Sequence, residues 1–177
     1  MNPSYLLDFL ISAGKLKTIK RTGWVESGVD SAESVADHSY RTALATMVLS
    51  DSLGLDSCKA MRMALLHDLA EAETGDITPT MKKENHQQLE DQAMEKMLKG
   101  LDDPLRSLYW ETWKEYQNNT STESKLVHDM DKVEMVLQAY EYNLSSHNEK
   151  LTRFQHAMVS IEHKEIVEMI KKRWTSP

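Results

Sequence analysis

Residues 34–75 read SVADHSYRTALATMVLSDSLGLDSCKAMRMALLHDLAEAETG. This stretch carries two helices with their own start and stop signals. The first runs from Ser34 to Leu53 and is ended by Gly54. Asp56 is a good N-cap for the second, which the spacing extends to about Thr74, before Gly75. Within the first, Val35, His38, Thr42, Ala45 and Leu49 recur at intervals of three and four and so share one face. Within the second, Ala60, Met63, Ala64, His67 and Glu71 do the same, with Asp68 beside His67. Each helix thus turns an imidazole toward the side on which its apolar residues lie.

Outward from this pair the pattern stays helical. Pro3 to Ala13 reads as a first helix, with Leu6, Leu7, Phe9, Leu10 and Ile11 supplying its buried side. A loop with Gly23 and Gly28 follows. Met81 to Leu101 reads as a polar, charged helix, and Asp102-Asp103-Pro104 restarts another with a cap and a proline in the first turn. Residues 118–122 are a polar break. A long helix from Glu123 to about His147 comes next, then one or two helices from Leu151 to Trp174. No segment alternates with a strand period. The expected fold class is all-α, a compact helical bundle of one domain over residues 1–177. Only 6 Gly and 4 Pro against 11 Met fit helices better than loops or strands.

Composition narrows the function. The net charge of −7 repels duplex nucleic acid, so no nucleic-acid partner is expected. A small anion remains open, because a cation or a local basic patch reverses the sign of one cleft. A single cysteine, Cys58, excludes an intrachain disulfide framework and is expected to be an inert packing residue. The first twenty residues show no long apolar run followed by a small-residue cleavage site, and no stretch reaches the ~18–20 apolar residues of a membrane span. The expected location is the cytoplasm, with no membrane partner.

The chemistry lies in polar residues at inward positions. His38, His67 and Asp68 are joined by Asp131, one turn after Val127 and one turn before Met135 on the long helix that starts at Glu123. Buried carboxylates without a partner are costly. One divalent cation satisfies all four groups, and the mixed N/O set suits Mn, Fe, Co, Ni or Zn better than Ca. Buried His–Asp hydrogen bonding on a helix pair is the competing reading. Glu71 stands one turn from His67, the place for a general base or acid acting on water at the cation. Thr74-Gly75-Asp76-Ile77-Thr78-Pro79 either forms a loop over the cation with hydroxyls and N–H groups for an anion, or is an ordinary helix end and turn. A basic run of Lys15, Lys17, Lys20 and Arg21 leads into Arg21-Thr22-Gly23-Trp24. Arg21 pairing with phosphate while Trp24 covers a sugar or base is one reading. A solvated basic helix end with a core tryptophan is the other.

Together these residues resemble the HD-domain superfamily, through His38 in Ser34-Val35-Ala36-Asp37-His38-Ser39, His67-Asp68, and Asp131 in Asp131-Lys132-Val133-Glu134-Met135. Arg21-Thr22-Gly23-Trp24, His67-Asp68-Leu69-Ala70-Glu71 and Thr74-Gly75-Asp76-Ile77 narrow it to the small 5′-deoxynucleotidase branch, from the first helix to about Asn143. The resemblance implies an HD-type helical bundle and a phosphoric monoester hydrolase acting on (deoxy)nucleoside 5′-monophosphates. It implies His38, His67, Asp68 and Asp131 as ligands of one divalent ion, a transition metal or Mg. It implies Glu71 and Asp76 as catalytic residues. Substrate contacts are expected from Arg21, Trp24, Asp68, Asp76, Ile77, Thr78, Pro79 and Asp131. It also implies a homodimer. His128 and Asp129 compete with Asp131 for the ligand position, and the resemblance places Asp131 there. The alternatives are an HD phosphohydrolase of a cyclic nucleotide, an alarmone or a dNTP, and a non-enzymatic metal or nucleotide sensor. The segment from His147 onward carries no informative motif, and His156 and His163 are expected at the surface.

Overall fold

The structure is a computed structural model that describes residues 3–175. Residues 1, 2, 176 and 177 of the expected domain lie outside the described residues. Among the described residues every regular element is a helix, with no strand and one isolated bridge between Lys20 and Ser34.

The order is α1 (Pro3–Gly14), a 3-10 turn (Lys15–Lys17), α2 (Thr22–Glu26), α3 (Val35–Leu53), α4 (Ser57–Leu66), α5 (Glu71–Thr74), α6 (His86–Leu98), α7 (Asp103–Asn118), α8 (Thr122–Ser146), a 3-10 segment (Glu149–Ser160) and α9 (Lys164–Thr175). The caps read from the sequence do their work. The Ser34 hydroxyl accepts from the Asp37 N–H, and the Asp37 carboxylate accepts from the Ser34 N–H, which closes a capping box. Asp56 accepts from the Lys59 N–H at 2.9 Å. Gly54 ends α3 at φ 69° and ψ 28°, in the left-handed region.

α3 is the centre of the bundle, packed on α4 and α8. α8 in turn holds the 3-10 segment and α9. Two main clusters flank this centre. Leu66, Leu69, Met94, Leu98 and Trp113 fill one side, and Leu126, Met130, Val136, Ile161 and Ile170 the other. Inward imidazoles on α3 and after α4 therefore meet carboxylates on α8 at the middle of the molecule.

The helix expected from Asp56 to Thr74 breaks after Leu66 into tight turns before α5. The His67 ring bonds back at this point. Its Nδ1 donates to the Ala64 carbonyl at 2.6 Å, the acceptor that a continuing α-helix offers to the Asp68 N–H. The backbone then tightens to i→i+3 bonds, among them Glu71 N to Asp68 O at 3.0 Å. α1 does not bury its apolar side: Leu6, Leu7, Leu10 and Ile11 are exposed and only Phe9 is half-buried. Its neighbours are the 3-10 turn, α5 and α6, so it lies at the edge of the bundle. Cys58 is exposed, on the outer face of the first turn of α4, and packs no core. The polar helix begins at His86, after turns. The Gly23 segment is a short helix, α2, rather than a loop.

Candidate active site

The site is built from two imidazoles fixed from behind. His38 sits one turn into α3 and is fully buried. Its Nδ1 donates to the Glu134 carboxylate, and its Nε2 faces forward. His67 is turned by the bond from its Nδ1 to the Ala64 carbonyl. A carbonyl only accepts, so Nδ1 carries a proton and Nε2 is the nitrogen turned toward the cluster. The two Nε2 atoms stand 3.3 Å apart. The Asp68 Oδ2 is 3.1 Å from His67 Nε2 and 3.7 Å from His38 Nε2. The Asp131 Oδ1 is 3.1 Å from His38 Nε2. The candidate ligand atoms of His38, His67 and Asp68 all lie within 4.8 Å of one another, a group that Asp131 joins through His38.

The electrostatics of this cluster call for positive charge at one point. Burial pushes the His38 pKa down, as does Arg21, but bonds to Asp131 and Glu134 carry it up to about 9. Asp68 is held well below the usual carboxylate range: burial alone raises it, and His67, Arg21 and His38 more than reverse this. Asp131 behaves alike and falls to about 2, through His38, His67 and Arg21 against its burial. A proton on His38 partly answers the demand, and a divalent cation would answer it better, with His38, His67 and Asp68 close enough to one another to share it. The donor set therefore fits a borderline divalent metal.

Arg21 lies above the carboxylates. Its guanidinium is 3.2 Å from Asp68, 3.5 Å from Asp76 and 4.0 Å from Asp131. Burial lowers its pKa, but these acids and Glu71 raise it above its ordinary value, so it stays charged. Asp76 positions it. The Asp76 Oδ2 accepts from the Thr22 N–H at 2.6 Å, at the start of α2, and its carbonyl accepts from the Thr22 hydroxyl at 2.6 Å. Gly75, at φ 76° and ψ 163°, lets the chain turn from α5 into this clamp.

Glu71 differs from its neighbours. Its Oε2 is buried without a hydrogen-bond partner. Burial, then repulsion from Asp68 and Asp76, pushes its pKa up to about 10. A dication in the cluster acts in the opposite direction and favours the ionised form. The tight turn at 67–70 closes with the Glu71 N–H on the Asp68 carbonyl, three residues back, at 3.0 Å.

These groups open onto one cleft of about 470 Å³. Arg21, Trp24, Asp68, Glu71, Asp76, Ile77, Thr78, Pro79 and Asp131 all line it, as does His67. His38 lies behind them. Trp24 is mainly a core residue. It packs on Phe154 with ring centroids 4.2 Å apart and on Tyr142 at 5.5 Å, and its indole N–H donates to Glu33 at 2.9 Å. It offers the cleft ring surface and no donor. Lys15 is drawn off to Glu73 and Lys17 and Lys20 are exposed, so of the basic run only Arg21 belongs to the site.

The ambiguous acids on α8 separate in space. Asp131 faces the cluster. Asp129 faces away and accepts from the backbone N–H groups of Glu162 at 2.7 Å and His163 at 3.2 Å and from the His163 ring. His163 is therefore half-buried and bonded, not a free surface residue, whereas His156 is exposed. His128 lines the cleft, stacked on Tyr116 at 4.0 Å, with its Nε2 on the Tyr116 carbonyl. Sequence reading missed Lys82, Glu90, Tyr116, Lys132, Met135 and Phe154 as cleft residues. Glu134 left a signal, since it stands three residues after Asp131 and four after Met130. Phe154 left none, because a 3-10 segment has no helical face to read.

The HD domain family matches this chain over residues 13–174. The 5′-deoxynucleotidase HDDC2 of Homo sapiens is 40% identical over 172 residues, which span 94% of this chain and 83% of that protein. The 5′-deoxynucleotidase HDDC2 of Dictyostelium discoideum is 43% identical over 153 residues, spanning 81% of this chain and 80% of that protein. Among solved structures, a conserved hypothetical protein from Pyrococcus furiosus superposes with a TM-score of 0.82 at 36% identity, covering 94% of this chain and 99% of the other. The chain belongs to the HD domain family.

Proposed function

We propose that the protein is a metal-dependent phosphoric monoester hydrolase that releases phosphate from (deoxy)nucleoside 5′-monophosphates. The observation that carries this reading is the unpartnered Glu71 Oε2 beside the convergent His38–His67–Asp68 group, with Asp131 3.1 Å from His38. The relatives named as 5′-deoxynucleotidases support the substrate class.

His38, His67, Asp68 and Asp131 would hold one divalent ion, drawn from Mn, Co, Ni, Fe, Zn or Mg. When bound, that ion supplies Lewis acidity toward a phosphoryl oxygen and lowers the pKa of nearby water. Arg21 exchanges part of its pairing with Asp68 and Asp76 for the phosphoryl oxygens. Asp76 keeps Arg21 and the start of α2 in place while it does so. Glu71 orients the attacking water through Oε2 and takes its proton. The new bond joins water oxygen to phosphorus as the bond to the 5′ oxygen breaks, and the proton held by Glu71 balances the one that oxygen gains. Ile77, Thr78 and Pro79 form the wall over the phosphate, and Trp24 with Met135 and Phe154 gives the nucleoside an apolar surface.

The reading extends to a single domain working as a homodimer in the cytoplasm, where free nucleotides are found. Among the described residues no helix is long and apolar enough to cross a membrane. Tyr40, Leu44 and Val48 form an exposed apolar stripe on α3, suited to a second copy of the chain. Light scattering at micromolar concentration is expected to give twice the chain mass, and a monomer would contradict the dimer without touching the chemistry. Phosphate release from nucleoside monophosphates separates an enzyme from a sensor that only binds.

A further inference from the structure

The two imidazoles of the cluster are anchored by unlike partners. His67 rests on a neutral carbonyl, that of Ala64. His38 rests on the carboxylate of Glu134, whose side chain is 1% exposed. A charged group at that depth is costly unless it is held from several sides. Glu134 is so held: its other oxygen accepts from Arg41 Nε at 2.9 Å. Arg41 is itself fixed by Gln138 and Glu141, both at 2.7 Å, one and two turns further along α8. A line of charge thus runs from the half-exposed guanidinium of Arg41, through Glu134, to the back of His38. The residues lie on α3 and α8, the packed pair at the centre of the bundle.

This arrangement does two things to His38. It fixes the proton on Nδ1 and so leaves Nε2 as the coordinating atom. An ionised acceptor behind an imidazole also makes its forward nitrogen a stronger donor than a neutral carbonyl does. We propose that Glu134, braced by Arg41, is a positioning residue that sets the affinity of the site for its metal through His38. The proposal rests on the metal-site reading above. It assigns Glu134 no contact with metal or substrate.

Glu134→Gln keeps the shape and removes the charge. The amide oxygen accepts from His38 or from Arg41, and the amide nitrogen opposes the other donor. Metal-stripped wild type and variants are titrated calorimetrically with Mn²⁺ and with Co²⁺, and the melting temperature of each metal-free protein is taken alongside. Glu134→Gln is expected to raise Kd roughly 10- to 100-fold. Its activity should return toward wild type at excess metal. Arg41→Gln, which leaves Glu134 in place but unbraced, is expected to fall between the two. A Glu134→Gln protein with a lowered metal-free melting temperature and a Kd within about two-fold of wild type would make Glu134 merely a core residue and overturn the proposal. If Glu134→Gln does not fold, Arg41→Gln carries the test, and an unchanged Kd there overturns it equally. Wild type that binds neither ion would instead overturn the metal-site reading, and this proposal with it.

Discussion

Glu71 and Trp24 show how much a single residue discloses before its surroundings are known. The i, i+4 step from His67 to Glu71 is visible in the sequence and puts a carboxylate beside the cluster. Its unpartnered oxygen is not visible there, since that depends on what α6 and the 75–85 loop leave open. Trp24 is the reverse case. Its place beside Arg21 suggests a ligand contact, yet most of its ring is spent on Phe154, Tyr142 and the Glu33 bond. Only packing partners from distant segments reveal that. Glu71→Gln is expected to retain metal and fold and to lose kcat by ~10²–10⁴-fold, or roughly 3–5 kcal/mol of barrier. Metal analysis together with single-turnover kinetics checks it. A variant with near-normal kcat would move water activation elsewhere, with Asp76 the next candidate.

The helices were legible where their ends are local. Ser34, Asp56 and Gly54 act within a turn of themselves, and the starts of α3 and α4 follow from them. The break after Leu66 was not legible, because periodicity continues through it. At the break the His67 ring bonds back to the Ala64 carbonyl, a side-chain to backbone bond that periodicity does not encode. The capping box of α3 gives a test with a defined sign. Asp37 lies below its ordinary pKa, because the backbone N–H of Ser34 and then its hydroxyl donate to it. A depressed folded value means the unfolded chain binds the proton more readily. The contribution is therefore complete above the unfolded value of about 3.9 and is lost as pH falls through the lowered folded value. Asp37→Asn is expected to cost about 0.5–1 kcal/mol at neutral pH and progressively less in acid. Denaturant melts from pH 7 down to pH 3 check it. A cost that does not shrink in acid would place the effect elsewhere.

Across the whole molecule, the all-α class and the order of the long helices followed from spacing and punctuation. The cleft did not. Its walls join α2, the loop after α5, α7, α8 and the 3-10 segment, which are far apart in the chain. The packing of α3 on α4 and α8 turns separate inward residues into one cluster short of positive charge. Metal binding should therefore stabilise the fold as well as enable turnover. At about 100 times Kd a ligand of the folded state alone adds ~2.7 kcal/mol. Thermal melts with and without Mn²⁺ or Co²⁺ should show a rise that a chelator reverses and that His67→Ala with Asp68→Ala abolishes. A rise retained in that double variant would put the metal at another site. The most direct measurement is phosphate release from a panel of ribo- and deoxyribonucleoside 5′-monophosphates by metal-stripped protein, with Mn²⁺, Co²⁺, Mg²⁺ or Zn²⁺ returned one at a time. The expected result is release from the monophosphates only when metal is present, lost in the His67→Ala, Asp68→Ala protein. Metal bound at the cluster with no release from any monophosphate, under any of the four ions, would contradict it.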